Sequence, residues 1–224
     1  MQPEVEKMVE NSYNSYQEYY QNQNKILPER SYLYPLKPFR VGSNKVESLT
    51  SYVTRLAAIH QVPTGVLLAQ EVAPFITRCY NNKRLSSRFF SAFFCQTGAW
   101  NGTGIMALSP VSILQKLTQQ PSLRFLTLLM WAEVLPRNNL LRPYKAWCPL
   151  CYSEADRSGM IIYEPLDWSI LTITVCLKHQ QVLLSRCPNC GSSINYLSWN
   201  SRAGFCSTCH HWLGNSCNIM ISQI

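Results

Sequence analysis

The sequence predicts an α+β chain: a mainly α-helical helix-turn-helix domain followed by two small metal-stapled ribbon modules. Three observations predict it. Apolar residues recur at helical spacing between Ser48 and Leu117. Four pairs of metal-type ligands, Cys148/Cys151, Cys176/His179, Cys187/Cys190 and Cys206/Cys209, are each separated by two residues. Past Tyr144 the helical period gives way to short runs of β-formers. With 224 residues, 46% of them hydrophobic, the chain can build one or two domains with real cores. The expected division is 1–31, 32–144 and 145–224.

Residues 1–31 are rich in Gln, Asn and Tyr (Tyr13, Tyr16, Tyr19, Tyr20), show almost no aliphatic period and read as a disordered tail. Tyr32 to Phe39 follows as an extended strip, because Pro35 and Pro38 lack donors and restrict their predecessors. Such a strip packs along its own domain or lies on a partner. Tyr32, Tyr34 and Phe39 are its candidate partner contacts.

Ser48 can cap a helix whose apolar face is Leu49, Tyr52, Val53, Leu56 and Ala57, with Thr50, Thr54 and Arg55 elsewhere, ending near His60. Pro63 then starts a second helix carrying Val66, Leu67 and Ala69. A third pattern turns Leu85, Phe89, Phe90, Phe93 and Phe94 inward and Arg84, Arg88 and Ser91 outward. It suits a recognition helix, with Lys83, Arg84 and Arg88 as candidate nucleic-acid contacts; the competing reading is a solvated face. Asn101 to Gly104 makes a turn and lacks the strand and Gly-Lys-Ser/Thr ending of a phosphate loop. Ser109 and Pro110 then supply the cap and first position of a helix with Ile113, Leu114 and Leu117. Short strands are expected at 161–163, 168–175, 182–184 and 194–197.

Two ligands separated by two residues can grip one ion from a single tight turn, and zinc takes four such soft or borderline ligands in a tetrahedron. Chain order groups Cys148, Cys151, Cys176 and His179 as one site and Cys187, Cys190, Cys206 and Cys209 as a second, although an interleaved pairing stays open. The turn from Cys187 to Gly191 has knuckle chemistry, since Pro188 fixes one φ and Gly191 can adopt a positive one. Two structural zinc ions are the expected cofactors, because four protein ligands leave no open position for a catalytic water. The turn around Trp147-Cys148-Pro149-Leu150-Cys151 superficially resembles a redox dithiol, but three further pairs downstream argue against that. His210 and His211 are expected bystanders, and Cys79, Cys95 and Cys217 have no partner pattern.

Charge is unevenly distributed. Residues 1–31, 32–144 and 145–224 carry −2, +9 and +1, the +8 of the whole chain. Seven thiolates and two zinc ions would lower the last segment by three further charges. The middle segment is therefore the one that attracts phosphate, with simple solvation of a helical surface as the alternative. The longest strongly apolar stretch, Phe125 to Leu135, contains Glu133 and falls far short of the roughly 20 residues that span a bilayer. Met1 to Glu10 is polar and acidic, so no membrane partner and a cytoplasmic location are expected.

The chain resembles the TniQ family. The resemblance is carried by Glu47-Ser48-Leu49-Thr50-Ser51-Tyr52 with Arg55-Leu56-Ala57, by Trp147-Cys148-Pro149-Leu150-Cys151, by Cys176-Leu177-Lys178-His179 and by Cys187-Pro188-Asn189-Cys190-Gly191, over residues 32–214. It includes a Trp168 strand before the Cys-x-x-His pair and a Leu183-Leu184 strand before the last ribbon. The resemblance implies a prokaryotic transposition-targeting subunit that links target-site recognition to the AAA+ regulator TnsC, which recruits the transposase. The chain ends at Ile224, as in short forms that serve a CRISPR effector with its guide RNA in RNA-guided integration. Implied partners are TnsC, that effector and the target DNA backbone, with a homodimer also open. The alternative is a sequence-specific DNA-binding selector of the TnsD type. No enzyme is expected, since the sequence offers no Ser/His/Asp or open-metal constellation.

Overall fold

The computed structural model describes residues 30–79, 87–136 and 138–214. Residues 1–29 of the expected tail lie outside them, as do Lys83, Arg84, Leu85 and Cys217. From Tyr32 on, the described residues form one compact unit. It is mixed helical, with one small two-stranded sheet.

Helix α1 spans Leu49–Ile59, and Ser48 caps it by accepting from the Ser51 N–H. His60 is its C-cap, and Gln61 turns the chain with φ 55°. Every residue from Leu49 to Ala57 is buried. The polar side of α1, with Thr50, Thr54 and Arg55 off the apolar face, therefore faces protein rather than water. Asn101 satisfies Thr50, accepting from its N–H at 3.2 Å and donating to its hydroxyl at 3.0 Å.

After the turn come α2 (Thr64–Leu67), a π-helical turn (Leu68–Val72) and α3 (Ala73–Cys79) in one continuous run. Leu67, Leu68 and Val72 enter the core, while Val66 and Ala69 are only half-buried. Helix α4 spans Ser87–Gln96 and turns Phe90, Phe93 and Phe94 toward the same core; Ser91 is exposed. Helix α5 runs Ile105–Thr118 with Gly104 as N-cap, so it starts before the expected Ser109 cap and holds Pro110 inside. Pro110 removes one backbone bond there. Its buried ring, flanked by Ala107, Val111 and Leu114, offsets that loss.

The strip before α1 is anchored from within. Leu33 and Leu36 are buried in the first core, and the Leu33 N–H donates to the Leu117 carbonyl at 2.7 Å. Tyr52 donates from its hydroxyl to the Leu36 carbonyl at 3.0 Å. Tyr32 and Tyr34 point outward, 72% and 54% exposed. Phe39 turns in, 5.2 Å from the Tyr163 ring and beneath the Arg55 guanidinium at 3.8 Å.

Helix α6 (Pro149–Arg157) opens the ribbon region, and β1 (Val175–Cys176) pairs antiparallel with β2 (Gln181–Val182). The longer expected strands are replaced by single bridges, Trp147 to Leu184, Arg186 to Ser193 and Phe205 to Trp212. Residues 161–163 form no strand or bridge, and Trp168 lies in a 3-10 turn, Leu166–Ser169. A second core of Trp147, Tyr152, Trp168, Leu183, Ile194 and Leu213 gathers around the ligand cysteines.

Two joints tie this region to the helices. Leu197 packs in the helical core, its N–H donating to the Thr97 hydroxyl at 3.2 Å. Nearby, the Gly65 N–H donates to the Trp199 carbonyl at 2.9 Å, and a Cβ on Gly65 would lie 2.4 Å from the Trp199 ring. The second joint is polar. Glu47, fully buried, accepts from Arg55 at 2.5 Å, Ser51 at 3.0 Å and the Phe39 N–H at 3.1 Å. Across it, the Glu164 N–H donates to Ser51 at 3.0 Å, while the Glu164 carboxylate accepts from Lys145 at 2.8 Å and Tyr152 at 3.1 Å.

Candidate metal centres

The first ligand pair is set by a helix start. Cys148 is the N-cap of α6 in an extended conformation, and Pro149, with no N–H to satisfy, begins the helix. Cys151 follows in the first turn. The opposing pair sits in the β1–β2 hairpin: Cys176 ends β1 and His179 lies in the turn, which closes with the Gln180 N–H donating to the Cys176 carbonyl at 2.7 Å. The His179 Nδ1 lies 3.4 Å from the Cys148 Sγ, 3.3 Å from Cys151 and 3.7 Å from Cys176, and the last two sulfurs are 3.6 Å apart.

The second group is built from two knuckles. The Gly191 N–H donates to the Cys187 carbonyl at 2.9 Å and the His210 N–H to the Cys206 carbonyl at 3.0 Å. Cys187 and Cys209 are 3.7 Å apart, and Cys190 and Cys206 are 3.8 Å apart. In each group the four ligand atoms lie within 4.8 Å of one another, so both can hold a metal ion, and the chain-order grouping is the one the fold assembles.

These spacings test the fit. An ion that binds sulfur at about 2.3 Å and imidazole nitrogen at about 2.05 Å, as zinc does, sets tetrahedral edges of about 3.8 Å between sulfurs and about 3.5 Å between sulfur and nitrogen. The observed edges match those values.

Three of the turns share one device. Gln180, Gly191 and His210 each stand four residues after the first ligand of a pair and adopt φ 50°, 69° and 58°. Sequence reasoning recognised only the glycine. His210 is thus a turn former outside both ligand groups, and it is one of the residues lining a cleft of about 930 Å³.

Donors around the sulfurs prepare them as thiolates. The Cys148 thiol is lowered to about 4, by the Cys151 thiol first, with the Cys151 N–H and the Gln181 amide, 3.2 Å from its sulfur, adding to the effect. Cys190 is lowered to about 6 by the Ser192 hydroxyl and N–H. The Asn189 amide, 3.5 Å from the Cys209 Sγ, lowers that thiol as well. Their partners move the other way: Cys151 is raised by Cys148, and burial pushes Cys187 up to about 12. In the Cys148/Cys151 and Cys187/Cys190 pairs one thiol is thus lowered and its neighbour raised, and a bound cation would displace the proton of the second. Gln181 and Asn189 were missed in the sequence, although each lies within two residues of a ligand.

The other candidates are placed as follows. Arg88 lies at the start of α4. Tyr32 and Tyr34 are displayed on the anchored strip, while Phe39 is engaged inside the fold. Exposed Met130, Trp131 and Val134, at 52%, 57% and 77%, form an apolar patch within one turn region that the sequence reading treated only as a stretch too short for a membrane. Cys95 is exposed. Among the described residues no helix is long and apolar enough to cross a membrane.

The TniQ family model matches residues 38–183. The matched span takes in the helical body and the four ligands of the first group, and stops short of Cys187. No curated protein matches the chain.

Proposed function

The chain belongs to the TniQ family, which is associated with transposition targeting, and from that we propose that it is a zinc-stapled targeting adaptor. In this reading it links target-site recognition, by an RNA-guided CRISPR effector, to the AAA+ regulator TnsC and so recruits the transposase. It acts by contact rather than catalysis.

The observation that carries the reading is the family match joined to two ligand groups that are each complete in protein side chains. A three-thiolate, one-imidazole set and a four-thiolate set at tetrahedral spacing suit zinc and leave no place for a reactive water. Such ions fold and stiffen ribbons that have little core of their own. Stiffness matters to an adaptor, because holding two partner surfaces at fixed geometry turns the second binding event into an intramolecular one. The anchored strip supports the same reading: Leu33 and Leu36 are fixed in the core while Tyr32 and Tyr34 face outward for a partner. The basic 32–144 segment supplies phosphate contact without base reading.

The test is to purify the full chain, measure zinc per monomer, and measure retention of TnsC and of DNA on it and on Cys190→Ser. We expect two zinc ions, TnsC retained by the intact chain, and DNA affinity that falls with salt alike for every sequence. One or no zinc, or tight binding to one DNA sequence without TnsC, would overturn the adaptor and favour a selector of the TnsD type. Arg84→Ala with Arg88→Ala should flatten the salt slope; an unchanged slope removes them from the nucleic-acid surface.

A further inference from the structure

We propose that Glu154, held by Lys178, is a positioning residue of the first metal centre: its carboxylate accepts a hydrogen bond from the Nε2–H of His179 and so fixes Nδ1 as the metal ligand. The inference rests on the reading of this group as a zinc centre and goes beyond its four ligands.

Nδ1 of His179 is the ring atom that faces the three sulfurs, at 3.3–3.7 Å. A neutral imidazole that binds metal through one nitrogen carries its proton on the other, so Nε2 must be the donor. The Glu154 carboxylate lies 3.4 Å from Nε2. Glu154 stands three residues after Cys151 on α6, and helical spacing puts a ligand sulfur and this carboxylate on one face. Lys178, the residue before His179 in the opposing hairpin, bonds the same carboxylate oxygen, Oε2. One carboxylate from the helix thus meets two consecutive residues of the hairpin, bridging the two halves of the centre.

Exposure decides what kind of effect this is. Lys178 and Glu154 are 56% and 37% exposed, so their ion pair alone contributes little to stability. The His179 ring is only 17% exposed, so its orientation is a property of the protein rather than of solvent. Loss of an outer partner of a ligating histidine weakens metal binding by about 10–100-fold.

The experiment uses the full chain loaded with zinc and titrated with a competing chelator, reading the two release steps separately. Glu154→Ala should weaken one step by about 10–100-fold and leave the other within about twofold, with Glu154→Gln, whose amide oxygen still accepts, falling between. If Glu154→Ala fails to fold, Glu154→Gln and Lys178→Met carry the test. The same substitution in a His179→Cys background should have no effect, because no ring remains to orient. Nitrogen NMR of His179 should show a protonated Nε2 that exchanges faster in Glu154→Ala. Equal zinc affinity with and without Glu154, or an equal loss in the His179→Cys background, would overturn the proposal. A parent chain that holds fewer than two zinc ions would instead overturn the centre itself.

Discussion

Replacing Arg55 by methionine should be among the most damaging single changes outside the metal ligands. Glu47 has no exposed surface, and its carboxylate is neutralised by Arg55 at 2.5 Å, with neutral donors in Ser51 and the Phe39 N–H. Burial pushes the Glu47 carboxyl up while the Arg55 guanidinium pulls it down. Without Arg55 only the neutral donors Ser51 and the Phe39 N–H oppose burial, and the carboxyl must be buried either charged without a counter-ion or protonated. Removing one partner of a buried pair costs about 3–5 kcal/mol. The cation–π contact with Phe39, at 3.8 Å, adds roughly 0.5–1 kcal/mol. For a chain of this size the combined loss is a drop in Tm of roughly 7–24 °C. The assay is urea unfolding of the zinc-loaded protein followed by tryptophan fluorescence, with Glu47→Gln and the double variant completing a cycle. The double variant should recover about 1–3 kcal/mol relative to the sum of the singles. A loss below about 1 kcal/mol for Arg55→Met, or strict additivity, would refute a buried, coupled pair.

Gly65→Ala should destabilise by about 1–3 kcal/mol in the same assay, because its Cβ would meet the Trp199 ring at 2.4 Å and the Trp199 Cα at 2.6 Å. Gly191→Ala meets nothing within 4 Å, so its cost should be the φ 69° alone, about 1–2 kcal/mol, expressed as faster zinc release. Chelation should unfold the 145–214 region and also loosen the helical core through Leu197, visible as lost near-ultraviolet dichroism. Acid should act in the same direction: thiolates bind the ion and thiols do not, so zinc retention is fullest above the thiol pKa values in competition with the metal and falls as pH drops below them.

The sequence was most legible where the cause is local. The α1 boundaries follow from Ser48 as cap and a strong apolar period, and the ligand pairs follow from spacing. Legibility failed where the cause is distant. In sequence Arg55 stands off the apolar face with no partner named, because its partners, Glu47 and Phe39, reach it only after the strip folds back. Pro110 looked like a first-turn residue, yet burial beside Leu114 keeps it inside α5. The ribbons looked like longer strands, but ligand turns hold the short rungs in place and little ladder is required. Leu197, by sequence a ribbon residue, belongs to the helical core.

The polar joint makes the Glu-Ser-Leu segment more than a helix start. Glu47 and Ser51 hold Arg55, Phe39 and the Glu164 N–H, and Glu164 in turn holds Tyr152, the residue after the ligand Cys151. A chain of buried hydrogen bonds therefore runs from the tyrosine-bearing strip to the first metal centre. Burial without partners is costly at every link, so the links form together or not at all. A metal ion that fixes Cys151 fixes Tyr152 and hence Glu164, and through Ser51 and Glu47 it fixes the base of the strip that displays Tyr32 and Tyr34. On that reasoning the strip that displays Tyr32 and Tyr34 and the first ligand group, more than 100 residues apart in sequence, are stabilised as one unit, and under the proposed function a metal ion in that group would hold the geometry of the strip.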